Sequence, residues 1–188
     1  LDIFNNLIKN DLENKLFNNH LLRIAINSKK ISFDLRKRLK YKKNFKGILV
    51  TYKRPQPEIK NLYYKKVLLL LNSINSNFEE IIFCDKKNLL EGCTTNIICV
   101  KKNKLYIPKN NFYFGISLRI IKKFSFRKIS QINISINDLN SFDEILLVGT
   151  GKGVVSINNI PQIKWKQKSQ FIYKEVQALY NSLLEKRV

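Results

Sequence analysis

Short apolar runs bounded by polar residues dominate the second half of the chain. Glu79–Cys84, Asn96–Val100, Leu105–Ile107, Glu144–Val148 and Val154–Ile157 are each of strand length, and their patterning predicts five β-strands there. Nearer the start, Leu21–Ile26 and Gly47–Tyr52 read as strands, with Ile31–Leu35 a fainter one. Helical spacing appears in four places. Leu1 to about Asn19 puts Ile3, Phe4, Leu7, Leu12, Leu16 and Phe17 mostly on one side. Ile59 to about Asn75 follows and dissolves into a turn-prone Asn/Ser run. A third helix should begin just after Gly115 and reach about Lys123. The chain closes on an amphipathic helix from about Lys168 to Lys186, with Phe171, Val176, Leu179, Leu183 and Leu184 inward. Arg54-Pro-Gln-Pro57 continues neither a ladder nor a helix, which suggests a domain boundary between residues 54 and 55. No internal repeat is present. Irregularly mixed strands and helices predict an α+β (irregular α/β) class.

Composition adds bounds to this picture. With 188 residues, 44% hydrophobic and 26% charged, the chain can build one sizeable core. Its longest central apolar run, Val67–Leu71, is far too short to cross a bilayer, and no secretory leader opens it. The sequence contains no methionine and begins at Leu1, as expected of a fragment, a processed form or a non-standard start. A net charge of +21 raises the question of a nucleic-acid partner. The lysines, however, run along the whole length together with Asn and Ile, as in A+T-rich coding drift, and no nucleic-acid-binding motif accompanies them. Cys84, Cys93 and Cys99 form no C-x-x-C pair, and His20 is the only histidine, so no zinc set is expected. Each cysteine reads as a small buried residue in a reducing, cytoplasmic compartment.

Glycine is scarce, and five of the six lie after residue 90, in three places. These are Glu91-Gly-Cys-Thr-Thr-Asn96, Gly115-Ile-Ser-Leu-Arg119 and Gly149-Thr-Gly-Lys-Gly153. Glycine is needed where the backbone adopts positive φ or approaches a ligand closely. A helix opening at Gly115 would offer free N–H groups to an anion, and a nest at Gly149 after a buried strand would do the same. Each turn alone could be purely structural. The spacing fits neither the G-x-G-x-x-G nor the G-x-x-x-x-G-K-[ST] fingerprint.

In this order, and with a lysine upstream, the three turns resemble the class IV (fold-type IV) pyridoxal-phosphate aminotransferase family. That family includes branched-chain and D-amino-acid aminotransferases and aminodeoxychorismate lyase. Glu58-Ile-Lys-Asn-Leu62 resembles the segment around the lysine that attaches the cofactor. Leu89-Leu-Glu-Gly-Cys-Thr-Thr-Asn-Ile97 resembles the E-G-x-x-[ST/A]-N signature, Gly115-Ile-Ser-Leu-Arg119 the phosphate turn, and Asp143–Thr150 the strand and turn bringing a second hydroxyl to the phosphate. The resemblance covers nearly all of residues 20–188. It implies pyridoxal 5′-phosphate as cofactor, Lys60 as attachment point and catalytic base, Glu91 at the pyridine nitrogen, and Ile116, Ser117 and Thr150 at the phosphate. It further implies a desolvated, cation-rich setting that lowers the lysine pKa, and a homodimer acting on a small-molecule substrate. Tyr63 stands where several relatives have asparagine, which bears on substrate contacts. Relatives carry a further N-terminal region with a phosphate-binding arginine, so residues 1–54 are expected to be the remnant of a small domain and 55–188 a nearly whole large domain. Among family reactions, the Cys93 turn, the Gly149–Ile157 stretch, and the Ile163-Lys-Trp165 and Tyr173–Tyr180 segments resemble aminodeoxychorismate lyase, which forms 4-aminobenzoate and pyruvate. Transamination of a branched-chain or D-amino acid, and an inactive truncated relative, are the alternatives.

Overall fold

The computed structural model describes residues 20–37 and 44–185; the expected helix at Leu1–Asn19 lies outside them. Contacts divide the chain into two units, Leu1–Lys40 and Tyr41–Val188. In the first, β1 (His20–Ile26) and β2 (Ile31–Lys37) form an antiparallel hairpin. Asn27 closes its turn by accepting the N–H groups of Lys29 and Lys30, each at 2.8 Å, the local side-chain bonding that favours Asn in turns.

The second unit is a nine-stranded mixed sheet with helices, an α+β architecture. Its strands are β3 (Asn44–Thr51), β4 (Glu79–Cys84), β5 (Leu89–Gly92), β6 (Asn96–Lys101), β7 (Lys104–Pro108), β8 (Ile129–Ile132), β9 (Glu144–Gly149), β10 (Gly153–Ile160) and β11 (Trp165–Lys166). The order is β5-β4-β3-β10-β9-β6-β7-β8, with β11 paired to β10. The division between units falls ahead of Arg54-Pro-Gln-Pro57, where the sequence suggests one. The reason is β3, which pairs in parallel with both β4 and β10 and so belongs to the large sheet.

Both faces of the central strands are buried, which accounts for their unbroken apolar runs. Along β9 and β6, Leu146, Val148, Ile98 and Val100 face one core with α2 (Ile116–Phe124) and α3 (Phe171–Glu185). Ile145, Leu147, Ile97 and Cys99 face the other, around Phe45, Ile157 and Trp165. Period-two alternation divides each run between two cores. A smaller cluster joins Val67 of α1 (Lys65–Asn72) to Ile81, Phe83, Leu90 and Cys93.

Two helices depart from expectation. The helix expected from Ile59 begins only at Lys65. Ahead of it Asn61 donates to the Pro55 carbonyl at 2.9 Å and accepts the Tyr63 N–H at 3.1 Å, so its side chain competes with helical bonding. In α3 the buried stripe is Ile172, Tyr173, Val176 and Tyr180, while Phe171 and Leu184 are exposed. Glu144, buried at the start of β9, sets this rotation by accepting the first-turn N–H groups of Ile172 (3.0 Å) and Tyr173 (2.7 Å), where a carboxylate meets the positive helix end.

Candidate functional site

Glu91 sits on β5, opposite Phe83 of β4, rather than in the turn that follows. It is 3% exposed, and its neutralising partner is Arg54, also buried. Arg54 Nε reaches Glu91 Oε1 at 2.6 Å and Nη2 reaches Oε2 at 2.7 Å, a bidentate pair of the strong kind. Oε2 also accepts the Tyr113 N–H at 3.1 Å. The same Arg54 Nη2 donates to the Pro57 carbonyl at 3.4 Å, tying the pair to the loop that carries Lys60.

From Tyr113 the site runs on through Asn96. Its Nδ2 donates to the Tyr113 carbonyl at 2.5 Å, and its Oδ1 accepts the Gly115 N–H at 3.1 Å. Glu91 and Asn96, the two ends of the E-G-C-T-T-N segment, therefore hold one loop, residues 113–115, from opposite sides. A Cβ on Gly115 would lie 2.7 Å from Asn96 Oδ1, so the close approach requires glycine. Gly115 is the N-cap of α2 and brings no capping side chain, which leaves the first-turn N–H groups available to a ligand.

Ile116 opens α2 with an exposed side chain, so it could serve a ligand only through its amide. Ser117 is buried; its hydroxyl lies 3.4 Å from Thr150 Oγ1 and 3.0 Å from the Tyr180 hydroxyl. The helix N-terminus, Ser117 and Thr150 are thus assembled from the second and third glycine turns, with Tyr180 of α3 behind them.

Lys60 lies in the loop before α1, with its Nζ 6.0 Å from the centre of the Tyr113 ring. It is brought to the segment that Glu91 holds. It is exposed rather than desolvated, unlike the setting expected from the resemblance. Tyr63 is 66% exposed and makes no part of this network. Burial pushes the Cys93 thiol up to about 12 and raises Cys84 and Cys99 as well, so these thiols remain protonated, packed groups.

Arg54 and Tyr180 are the participants that sequence reasoning missed. Arg54 stands in a segment legible only as a break, and nothing local marks its partner. Tyr180 falls on the α3 stripe that Glu144 selects from the far end of the helix.

Burial pushes the Glu91 carboxyl above its ordinary range, against the pull of Arg54 and the Tyr113 amide. A carboxyl raised on folding keeps its proton where the unfolded chain has lost it, so stability falls as pH rises through that window. Arg54→Met removes the pull of the guanidinium and widens the window. This variant is expected to lose about 3–5 kcal/mol near pH 7.5, the scale of a broken buried pair, and to recover part of it near pH 5 as Glu91 protonates. Urea unfolding at both pH values measures this; a deficit independent of pH would place its origin in packing.

Residues 9–160 match the model of the family described as amino-transferase class IV. A comparison with curated protein sequences finds no match. Among solved structures, a candidate 4-amino-4-deoxychorismate lyase of Legionella pneumophila is similar at TM-score 0.77 and 14% identity, over 95% of this chain and 75% of that one. A candidate branched-chain amino acid aminotransferase of Thermotoga maritima has TM-score 0.72 and 15% identity, over 88% and 65%. An aminotransferase of Brucella abortus, bound to pyridoxal phosphate, has TM-score 0.67 and 20% identity, over 85% and 62%. The chain therefore spans roughly two thirds to three quarters of these proteins and shares their fold-type IV architecture.

Proposed function

We propose, for a chain that belongs to the amino-transferase class IV family, that it is the cofactor-binding part of a pyridoxal-phosphate lyase converting 4-amino-4-deoxychorismate to 4-aminobenzoate and pyruvate. The observation that carries the cofactor reading is the hydrogen-bonded chain from Glu91 through Tyr113 and Asn96 to the open N-terminus of α2. It sets a buried carboxylate at one end of a site and an anion cradle at the other.

The residues fit the cofactor. A carboxylate has about four acceptor positions; Arg54 and Tyr113 occupy three on Glu91, which leaves one for a pyridinium N–H. Arg54 pulls that carboxylate toward the ionised form the role needs, against the burial that raises it. The amides of Ile116 and Ser117, with the Ser117 and Thr150 hydroxyls, suit a phosphate monoester. Lys60 would attach the cofactor and, once released by substrate, take the proton whose loss makes the product ring aromatic. When bound, pyridoxal phosphate supplies an electron sink for the substrate carbon. Glu91 would maintain that sink by holding the proton on the ring nitrogen.

The choice of lyase is supported by the Glu91–Asn96 and Gly149–Ile157 segments. Residues 1–54 would be the remnant of the small domain apart from β3, which the large sheet holds, and two copies of the complete chain would form a cytoplasmic dimer. Coupling the complete protein to an aminodeoxychorismate synthase, with chorismate and glutamine, is expected to yield 4-aminobenzoate and pyruvate, with little amino transfer from leucine or D-alanine to 2-oxoglutarate. Transfer without 4-aminobenzoate would assign a branched-chain or D-amino-acid aminotransferase instead. Silence in both assays, without cofactor absorbance, would identify an inactive relative.

A further inference from the structure

A second buried ion pair lies beside the site and takes no part in the chemistry above. Glu80 of β4 is fully buried. Its Oε1 accepts the Thr94 N–H at 3.0 Å, and the Thr94 hydroxyl lies 3.4 and 3.3 Å from its two oxygens. From the other side, Lys152 Nζ pairs with Oε2. The Lys152 side chain is 7% exposed; it leaves the β9–β10 turn and passes over Phe45 of β3, with Nζ 4.7 Å from the ring centre. One carboxylate therefore ties the turn after Glu91 to the turn that carries Thr150.

The two turns also touch directly. A Cβ on Gly149 would stand 3.3 Å from the Thr94 carbonyl and 3.3 Å from Thr95 Cγ2. The β6–β9 ladder sets the register as far as Asn96 opposite Val148; beyond it the two turns are joined by this packing and by the charged tie from Lys152 to Glu80. A buried ion pair is a poor device for stability alone, since well-packed apolar side chains often serve as well. Its use here is to fix geometry.

We propose that Glu80 and Lys152 are positioning residues: a clamp that holds the Thr94–Thr95 turn and the Thr150 turn in register, and so sets Thr150 against Ser117. The consequence for cofactor binding rests on the pyridoxal-phosphate reading of the site; the clamp itself does not.

The test uses the full chain and the double variant Glu80→Gln/Lys152→Met. It leaves no unpaired buried charge and keeps an amide oxygen for the Thr94 N–H. Amide hydrogen exchange is expected to accelerate about tenfold in residues 92–95 and 149–153 together, as for a local opening, with the centres of β6 and β9 unchanged. Pyridoxal phosphate affinity, read by absorbance titration, should fall about tenfold or more, because a displaced group is costly even when the mutation is remote. Lys152→Arg retains the charge and should preserve protection and affinity. Exchange that stays unchanged in the folded double variant, or rises in one turn only, would overturn the clamp, as would Lys152→Arg behaving like the double variant. Absence of pyridoxal phosphate binding by the wild type would instead defeat the functional reading, and the exchange result would still decide the clamp.

Discussion

Lys60→Ala is expected to abolish cofactor attachment and to lower turnover by at least about 10³-fold, since both the nucleophile and the base are lost. The exposure of Lys60 makes the experiment clean. Truncating an exposed side chain outside a cap, core or network changes stability by no more than about 0.5 kcal/mol. A folded variant without activity therefore reports chemistry rather than collapse. Borohydride reduction of the wild type, followed by peptide mass mapping, should place the fixed cofactor on Lys60, and the variant should show no adduct. An adduct on another lysine, or turnover retained in the variant, would transfer the role elsewhere. Most of the 35 basic residues in the chain are lysines, so such a transfer has many possible destinations and the mapping is indispensable.

Glu91→Gln should retain cofactor yet lose about 10²-fold or more in turnover, the scale of one positioned acid–base group. A neutral amide keeps the shape, and its one oxygen can accept Arg54 Nη2 and the Tyr113 N–H, but its NH2 then meets the Arg54 Nε–H donor, and it cannot hold a proton on a ring nitrogen. The substitution also leaves Arg54 buried without its counter-ion, which costs about 3–5 kcal/mol. Thermal unfolding must therefore accompany the kinetics. The double variant Arg54→Met/Glu91→Gln removes the stranded charge and should regain stability without regaining turnover. Restored turnover in that variant would show that Glu91 acts through folding alone.

Several parts of this molecule were decided by short-range pattern. The apolar run Ile145–Val148 reads as a buried strand, and it is β9, buried on both faces. Gly115, followed by helical spacing, marked the start of α2, where the backbone must pass close to Asn96. Ser117 and Thr150 were legible as hydroxyls beside glycine turns, and the structure brings those hydroxyls together. Such features follow from backbone sterics and alternation, which act over a few residues.

Only the tertiary structure supplied the partners. Arg54 and Glu91 are 37 positions apart, and Glu80 and Lys152 are 72 apart; burial selects each pair, because a lone charge in the interior is expensive. The start of α1 at Lys65 depends on Asn61 bonding back to Pro55, and the face of α3 that meets Ser117 depends on Glu144 at the other end of that helix. The short strands β5 and β8 carry little pattern of their own and exist because β4 and β7 give them partners. Local sequence sets which conformations a segment can adopt, whereas a pairing between distant segments is chosen only when folding removes both from water.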